Sequence, residues 1–243
     1  ASDRHGQSLM RTIGLLGGMS WESSAHYYRL INQAVRERLG GMHSAASVMV
    51  SVDFAEIEAL QHAGDWDALT ERMIAAARQA EAGGTELLLV CTNTMHRMAD
   101  AVQAAIGIPL LHIADPVGSA IAAQGLTRVG LLGTAFTMDQ PFLRNRLAQR
   151  HGLEVIVPEA ADRQDVHRII YDELVRGIVT EESRTTYRAI MARLAEAGAQ
   201  AIILGCTEIM LLVREEDSAV PLFDTTTLHA LAAVDMALAQ AAP

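Results

Sequence analysis

Three short patterns occur twice in this chain, in the same order and at nearly constant spacing. "IGLLGG", residues 13 to 18, returns 116 residues later as "VGLLGT". "LLLVCTNTM", residues 87 to 95, returns as "AIILGCTEIM", and "GIPLLHIAD" has a looser echo in "AVPLFDTTT". Ordered recurrence at a fixed period indicates a duplicated structural unit. We therefore expect the chain to fold as two similar halves.

Apolar runs alternate with helical patterns along each half. Residues 87 to 90 are apolar at every position, which is typical of a parallel strand that is covered on both faces. Strands that alternate with helices indicate an α/β fold. The sequence thus predicts two pseudo-symmetric parallel-sheet α/β domains, residues 11–114 plus 224–243 and residues 115–223, with the active site in the cleft between them.

The individual elements can be placed approximately. Strands are predicted near residues 11–16, 46–51, 86–90, 108–111, 127–132, 153–157, 200–204 and 220–223. Helices are predicted near residues 21–39, 66–82, 94–105, 115–124, 138–150, 163–176, 181–197, 207–213 and 227–240. Asp115 followed by Pro116 fits an N-cap with proline at the first helical position.

Composition narrows the possible partners and compartments. The 243 residues carry 29 acidic and 19 basic side chains, a formal charge of −10, with no basic block that could follow a nucleic-acid backbone. The longest apolar runs are far shorter than the roughly 20 residues that span a bilayer. Residues 1–10 are interpreted as a disordered leader or an expression remnant. Because no export signal is seen, the two cysteines are expected to be free thiols in a cytoplasmic protein.

Each half contributes one cysteine, Cys91 and Cys206, from an equivalent strand end. Open α/β sheets bind ligands at the carboxyl ends of their strands, so the two thiols should flank one small ligand. Two equivalent acid/base groups on opposite faces of a carbon suit racemisation, because one removes a proton and the other delivers one. A cysteine pKa of about 8.5 is easily lowered at a helix N-terminus, and a helical pattern follows each cysteine.

Polar neighbours could bind the substrate. Hydroxyl and amide side chains next to predicted helix N-termini are suited to a carboxylate. These side chains are Thr92, Asn93, Thr94 and Thr207. In the turn after the first strand, Gly17 and Gly18 allow close backbone approach and Ser20 can cap the next helix; Thr134 is the matching position in the second half.

Several features have simpler interpretations. A single cysteine at a strand end is more often a buried small hydrophobic residue, and it is the matched pair that favours chemistry. His96 and His112 are expected on a helix or loop surface, and Glu208 either assists Cys206 or caps a helix. No metal-ligand spacing, P-loop or complete dinucleotide fingerprint occurs, so no metal or cofactor is predicted.

The segments "IGLLGGMSWESSAHYYRLIN", "CTNTMH", "GCTEI" and "VPLFDTTTLHA" resemble the aspartate/glutamate racemase family, especially its broad-specificity bacterial amino-acid racemases. The resemblance covers nearly the whole chain. It implies racemisation without pyridoxal phosphate (PLP), commonly by a homodimer, with Cys91 and Cys206 as the acid/base pair. It also implies that Thr92, Asn93 and Thr94 bind the substrate carboxylate and amine. Together, the residue patterns and the resemblance predict these substrate-binding residues: Met19, Ser20, Thr92, Asn93, Thr94, Thr134, Arg176, Thr207 and Glu208.

The substrate is less tightly specified. Aspartate-specific members of the family hold the two carboxylates with an arginine after the second strand and a lysine in the second domain. Residues 49–58 contain no basic residue, and Arg176 lies near the position of the lysine. Glutamate, aspartate or a broader set of amino acids are therefore all candidate substrates.

Other functions fit parts of the pattern. The two-domain pattern also resembles hydantoin racemases, maleate isomerases and arylmalonate decarboxylases. The first two use two cysteines, whereas the decarboxylases need only one, so the second thiol argues against them. A protein that binds an amino acid without turnover is the alternative from a different class. A redox role for the thiols is weaker, because no resolving cysteine is close in sequence.

Overall fold

The protein is represented by a computed structural model that describes residues 10–239. Seven strands and eleven α-helices alternate along this part of the chain. The strands are β1 (Ile13–Gly17), β2 (Ser47–Ser51), β3 (Leu87–Val90), β4 (Arg128–Leu132), β5 (Glu154–Ile156), β6 (Ile202–Leu204) and β7 (Leu222–Asp224). The helices are α1 (Trp21–Leu39), α2 (Phe54–Ala63), α3 (Trp66–Ala82), α4 (Ala99–Ala104), α5 (Ala114–Ala123), α6 (Ala135–Asp139), α7 (Phe142–His151), α8 (Ala160–Asp172), α9 (Glu181–Glu196), α10 (Ile209–Leu212) and α11 (Thr225–Leu238).

Contacts divide the described residues into two compact units. The first contains the chain up to Leu89, then Asp100–Leu111 and the residues from Ala230 onwards. The second contains Val90–Ala99 and His112–His229. Both cysteines therefore belong to the second unit. Apart from Met10, the predicted leader at residues 1–10 lies outside the described residues. Residues 240–243, which end the predicted C-terminal helix and domain, also lie outside them.

The first unit is built on a sheet with the strand order β2-β1-β3. β1 and β2 are parallel, in a register that pairs Ile13 with Ser47 and Gly17 with Ser51. An isolated parallel bridge joins Leu88 to Leu110, where the sequence predicted a strand over residues 108–111. Helix α1 packs on β1, and helix α3 packs on both β1 and β2.

Local signals determine the helix ends in this unit. Ser20 caps α1, since its hydroxyl accepts a hydrogen bond from the Ser23 N–H at 3.2 Å. Asp53 caps α2 in the same way, and Gly64 ends α2 in the left-handed conformation with φ 70°. Helix α2 was not predicted, although both of its boundary signals are present in the sequence.

The second unit is a four-stranded parallel sheet with the order β5-β4-β6-β7. Its two faces are covered by separate apolar clusters. Leu132 and Leu204 pack in one cluster with side chains of α8 and α9. Val129 and Ile203 pack in the other with side chains of α5 and α7. Neighbouring strand residues thus point into opposite cores, as expected for a strand that is apolar at every position.

The α/β class and the parallel sheets are confirmed. When the bridge at Leu110 is counted as a fourth position, the first sheet has the same order as the second. This match agrees with the duplicated sequence patterns.

The prediction of Asp115 as an N-cap is wrong. Helix α5 begins at Ala114, and Ile113 occupies the cap position without a side-chain hydrogen bond. Instead, Asp115 accepts two hydrogen bonds of 2.7 Å from the Arg146 guanidinium. Burial alone would raise the pKa of Asp115, but the hydrogen bond and charge of Arg146 lower it below the ordinary value.

Four predicted helices are interrupted or shorter. The helix predicted over residues 138–150 is two helices, α6 and α7, because Pro141 cannot continue a helix from the preceding turn. The predicted helix over residues 94–105 begins as a 3-10 helix, Thr94–Met98. The one over residues 163–176 ends at Asp172 and is followed by a 3-10 turn, Leu174–Arg176, and the one over residues 207–213 is the single turn of α10.

Gly18 allows close backbone contact between the ends of β1 and β2. Its φ is +90°, and a Cβ atom there would overlap the carbonyl oxygen of Val52. The Gly18 N–H donates to the buried Ser24 hydroxyl at 2.9 Å. Glycine is therefore required here by the packing of the turn itself.

We expect Gly18→Ala to destabilise the protein by more than about 2 kcal/mol, because it combines a positive φ with a steric overlap. Gly64→Ala is the matched control, since Gly64 also has a positive φ of +70° but open space around it, and should cost about 1 kcal/mol. Urea unfolding of both variants measures the difference. Equal losses would show that the backbone conformation alone sets the cost.

Candidate active site

Cys91 begins a tightly folded segment at the carboxyl end of β3. Its side chain is 1% exposed, and Asn93 and Thr94, which follow it, are also buried. His96 turns back onto the segment, because its Nδ1 lies 2.8 Å from the Thr92 carbonyl oxygen and donates to it. The segment is thus held by a side chain of its own.

Cys206 follows β6 and contacts a carboxylate. Its thiol donates a hydrogen bond of 2.9 Å to Glu208 Oε2, and the Thr207 hydroxyl donates to the same oxygen at 3.0 Å. Glu208 is buried. Two functions were predicted for Glu208, assisting Cys206 or capping a helix. The structure shows the contact with Cys206. Glu208 also occupies the N-cap position of α10, but its side chain makes no capping hydrogen bond there.

Both thiols are free, as expected, but the expectation that their pKa values are lowered is wrong. Burial raises the pKa of Cys91. Burial also raises the pKa of Cys206 well above its ordinary value, and the neighbouring charge and hydrogen bond of Glu208 raise it further. The structured segments after the cysteines are a 3-10 helix and the four-residue α10, which are too short to offset this dehydration.

A buried chain of hydrogen bonds links the two cysteine segments. Asn93 Nδ2 donates to the Thr225 hydroxyl at 3.1 Å, and this hydroxyl donates to the Leu204 carbonyl at 3.0 Å. Asn93 lies two residues after Cys91, and Leu204 lies two residues before Cys206. Thr225 was not predicted as a site residue, although it lies in the quoted "FDTTT" segment.

Three hydroxyl groups form a second cluster. The Thr94 and Thr137 hydroxyls lie 3.3 Å apart, and Thr137 lies 3.4 Å from Thr134. The predicted residues Thr94 and Thr134 are therefore brought together through Thr137, which sequence reasoning missed. The next turn is held by His167, whose Nδ1 accepts from the Ala135 N–H at 3.1 Å.

The remaining predicted binding residues lie elsewhere. Met19 is buried and Ser20 caps α1, both in the first unit. Arg176 ends the 3-10 turn Leu174–Arg176, and its side chain is exposed. Among the described residues Arg176 makes no ion pair, so its predicted role in substrate binding stays a prediction.

The expectation that His96 and His112 lie on the surface is wrong. Their exposed fractions are 2% and 5%, and His229 is fully buried beside them. The His96 ring lies 4.6 Å from the His112 ring and 5.6 Å from the His229 ring. Sequence patterns missed this cluster because the three histidines come from separate segments.

Burial also dominates the titration of these histidines. It lowers the pKa of His96 to about 4, an effect opposed by the hydrogen bonds of the ring to the backbone of Thr92 and Asn93. The pKa of His112 is lowered as well, by burial and then by the neighbouring His96 and Arg146. Both rings are therefore neutral near pH 7.

Residues 10–239 contain neither a membrane-spanning helix nor a cluster of metal-ligating side chains. No helix in residues 10–239 combines the length and the apolar character needed to cross a bilayer. Over the same residues, no group of three or more His, Cys, Asp or Glu side chains is arranged to hold a metal ion.

The buried histidines make the stability depend on pH. The unfolded chain binds a proton at His96 near its ordinary pKa of 6.5, whereas the folded chain does so only near 4. This part of the stability is complete above pH 6.5 and is lost as the pH falls towards 4. The expected loss in the free energy of unfolding is roughly 3 kcal/mol from His96 alone.

Urea unfolding from pH 8 to pH 4 measures this loss. His96→Asn should make the profile shallower by the share of His96, since asparagine can still donate to the Thr92 carbonyl but does not titrate, while the buried His112 still contributes. The exposed His43→Asn is the matched control and should leave the profile unchanged. A wild-type profile that is flat between pH 6.5 and 4 would contradict the prediction.

The contact between Cys206 and Glu208 can be tested by alkylation. In a Cys91→Ala background, Glu208→Gln removes the negative charge that raises the Cys206 pKa, so the thiolate fraction and the rate with iodoacetamide at pH 8.5 should rise several-fold. Glu215→Gln, at an acidic residue of the same unit, should leave the rate unchanged. An unchanged or lower rate in Glu208→Gln would show that burial alone controls this thiol.

Comparisons with known proteins agree with this geometry. The family model described as Asp/Glu/Hydantoin racemase matches residues 16–233. A crystal structure of a presumed Asp/Glu racemase from Yersinia pestis is 53% identical, with TM-score 0.90 over 94% of this chain and 100% of that chain. An aspartate racemase homologue from Pyrococcus horikoshii is 31% identical, with TM-score 0.82 over 93% of this chain and 99% of that chain.

A curated relative points the same way. The broad specificity amino-acid racemase RacX of Bacillus subtilis is 25% identical over 178 residues, which are 72% of this chain and 75% of that protein. The resemblance stated from the sequence motifs is thereby confirmed. By its matched residues and its fold, the chain belongs to the Asp/Glu/hydantoin racemase family.

Proposed function

We propose that this protein is a cofactor-independent amino-acid racemase that interconverts L- and D-amino acids with two thiols. The observation that carries the proposal is the pair of free cysteines at equivalent strand ends, one of them hydrogen-bonded to a buried carboxylate. Proton removal and proton delivery by two separate groups are the steps that inversion at an α-carbon requires.

Cys206 and Glu208 form the base in this mechanism. The thiol proton already points at Glu208 Oε2, so transfer along the 2.9 Å hydrogen bond produces a thiolate and a neutral carboxylic acid. The thiolate then removes the α-proton of the substrate. Thr207, which donates to the same carboxylate oxygen, orients Glu208 for this transfer.

Cys91 is the acid in the same turnover. Its buried thiol holds its proton, because burial raises the pKa, and the proton passes to the opposite face of the carbanion. Cys91 is then a thiolate, Cys206 a thiol that carries the substrate proton, and Glu208 a neutral carboxylic acid. The reverse reaction restores the first state, or solvent does so by taking the proton of Glu208 and returning one to Cys91. The difference between the two thiols makes the two directions of racemisation start from different resting states.

The polar side chains near the thiols supply substrate binding. The hydroxyls of Thr92, Thr94 and Thr134 are donors for the substrate carboxylate, where negative charge develops as the α-proton leaves, whereas the Thr207 hydroxyl contributes by keeping Glu208 in place. Such donors stabilise the transition state by several kcal/mol when they are preorganised. Asn93 Oδ1, which is buried without a partner among the described residues, is an acceptor for the α-amino group.

The absence of lysine supports independence from PLP. All 19 basic residues of the 243 are arginines. Enzymes that use PLP hold it as a Schiff base with a lysine side chain, and these residues offer none.

The substrate class is proposed to be broad, covering glutamate, aspartate and neutral amino acids. Residues 49–58 span β2 and the start of α2 without a basic side chain, so this segment offers no cation for a second carboxylate. Met19 and Ser20 are proposed as further contacts to the substrate. Arg176, which is exposed and unpaired among the described residues, remains the candidate cation for an acidic substrate.

We also propose a cytoplasmic homodimer. The free thiols suit a reducing compartment. Trp21, Tyr28 and Met42 in the first unit are 68%, 52% and 99% exposed, and large exposed aromatic and methionine side chains are enriched at interfaces. The division into duplicated domains, residues 11–114 plus 224–243 and residues 115–223, likewise stays a proposal.

The function is tested by proton NMR in deuterated water without added PLP, starting from single L- and D-amino acids. The wild type should exchange the α-proton and produce the opposite enantiomer. Cys91→Ala and Cys206→Ala should each lower racemisation by about 10²- to 10⁴-fold, as expected for the loss of one acid/base group. Each variant should still exchange the α-proton of one enantiomer, through its remaining thiol.

Racemisation at the native rate by either variant would contradict the two-thiol mechanism. Binding of amino acids without any α-proton exchange in the wild type would favour a binding protein. If no amino acid reacts or binds, hydantoins and maleate are the next substrates to test.

A further inference from the structure

Thr225 occupies a position that controls the orientation of Asn93. It is the first residue of α11 and is 1% exposed. Its hydroxyl makes two hydrogen bonds, one with Asn93 Nδ2 at 3.1 Å and one with the Leu204 carbonyl at 3.0 Å. No function considered above assigns a role to this hydroxyl.

The Leu204 carbonyl determines the direction of both hydrogen bonds of the Thr225 hydroxyl. A backbone carbonyl can only accept, so the Thr225 O–H must donate to Leu204. A hydroxyl has one proton, so towards Asn93 the Thr225 oxygen can only accept. Asn93 must therefore present its NH₂ group to Thr225 and direct its oxygen away.

Because Asn93 is buried, the orientation of its amide determines which ligand groups it can bind. Asn93 is 6% exposed, and its Oδ1 has no hydrogen-bond partner among residues 10–239. An unpartnered buried acceptor is costly, and a ligand that brings an N–H to it recovers this cost. A ligand hydroxyl can also donate there, but an ammonium group forms the stronger, charge-assisted bond.

We propose that Thr225 is a positioning residue that fixes the Asn93 amide as an acceptor and thereby selects an α-amino group over an α-hydroxyl group. The inference rests on the proposed function, because it takes the substrate at Asn93 to be an amino acid. Without the Thr225 hydroxyl, the amide can rotate and present NH₂ to a ligand oxygen. Selection then weakens, although Asn93 and both thiols are unchanged.

The test compares amino acids with their hydroxy analogues. Calorimetry gives the Kd values of L-glutamate and L-2-hydroxyglutarate, and of L-alanine and L-lactate, for the wild type and for variants. We expect the wild type to favour the amino compounds by at least about 10-fold, the range of one charge-assisted hydrogen bond. Thr225→Val should lower this ratio by about 10-fold and should raise KM more than it lowers kcat.

Two further variants separate orientation from structure. Thr225→Ser retains the hydroxyl and should keep the ratio within about 3-fold of the wild type, in the range of a single weak contact. Thr226→Val is the matched control, since Thr226 is equally buried at 1%, and it should leave both the ratio and the KM unchanged. Thr225→Ala repeats the test if valine prevents folding.

The outcomes distinguish this inference from the proposed function. Equal ratios in Thr225→Val and Thr225→Ser, a fall of the same size in Thr226→Val, or no preference for amino compounds in the wild type would each overturn the role of Thr225. Racemisation without selectivity would leave the proposed function standing. Selective binding that depends on Thr225, with no α-proton exchange in the wild type, would support the inference and overturn the proposed function.

Discussion

The strands of the second sheet carry buried side chains on both faces, with Val129 and Ile203 in one core and Leu132 and Leu204 in the other. Polar chemistry is thereby confined to the carboxyl ends of the strands, where the chain leaves the sheet. Cys206 follows Leu204 by two residues, and Cys91 directly follows the equally buried strand β3. Cys91 is therefore as buried as the cores themselves, whereas Cys206 lies half-buried at the edge of the sheet.

Dehydration raises the pKa of both thiols, but only Cys206 has a carboxylate beside it. Cys91 has only burial acting on it, which keeps the proton on sulfur and suits a proton donor. Cys206 has a carboxylate within hydrogen-bond distance, which raises the thiol pKa further at rest but also provides an acceptor for its proton. A sequence duplication thus gives two cysteines in equivalent positions, and the single carboxylate of Glu208 makes them chemically different.

Around these thiols, buried polar groups are largely paired with one another. His96 holds the Thr92 carbonyl, Thr225 holds both Asn93 and Leu204, and three threonine hydroxyls lie within 3.4 Å of a neighbour. Such pairing fixes each side chain in one orientation, because a buried group that loses its partner is costly. Asn93 Oδ1 and His96 Nε2 are buried without a partner in the described chain. A ligand or a water that forms a hydrogen bond with either of these two atoms would gain the most binding free energy, because the other polar groups of this network already have partners.

Sequence alone determined the α/β class, the equivalence of Cys91 and Cys206, and the absence of lysine, since these depend on local apolar runs, on an internal repeat and on composition. It also predicted α1 and its Ser20 cap, because capping is a contact between near neighbours. Only the tertiary structure decided that Asn93 bonds Thr225 across 132 residues, that Thr94 meets Thr137 across 43, and that Asp115 binds Arg146 instead of capping a helix. Sequence periodicity also could not predict that His96, His112 and His229 are buried next to one another. The physical reason is that propensity acts over a few residues, whereas the packing of the sheets chooses partners that are distant in the chain.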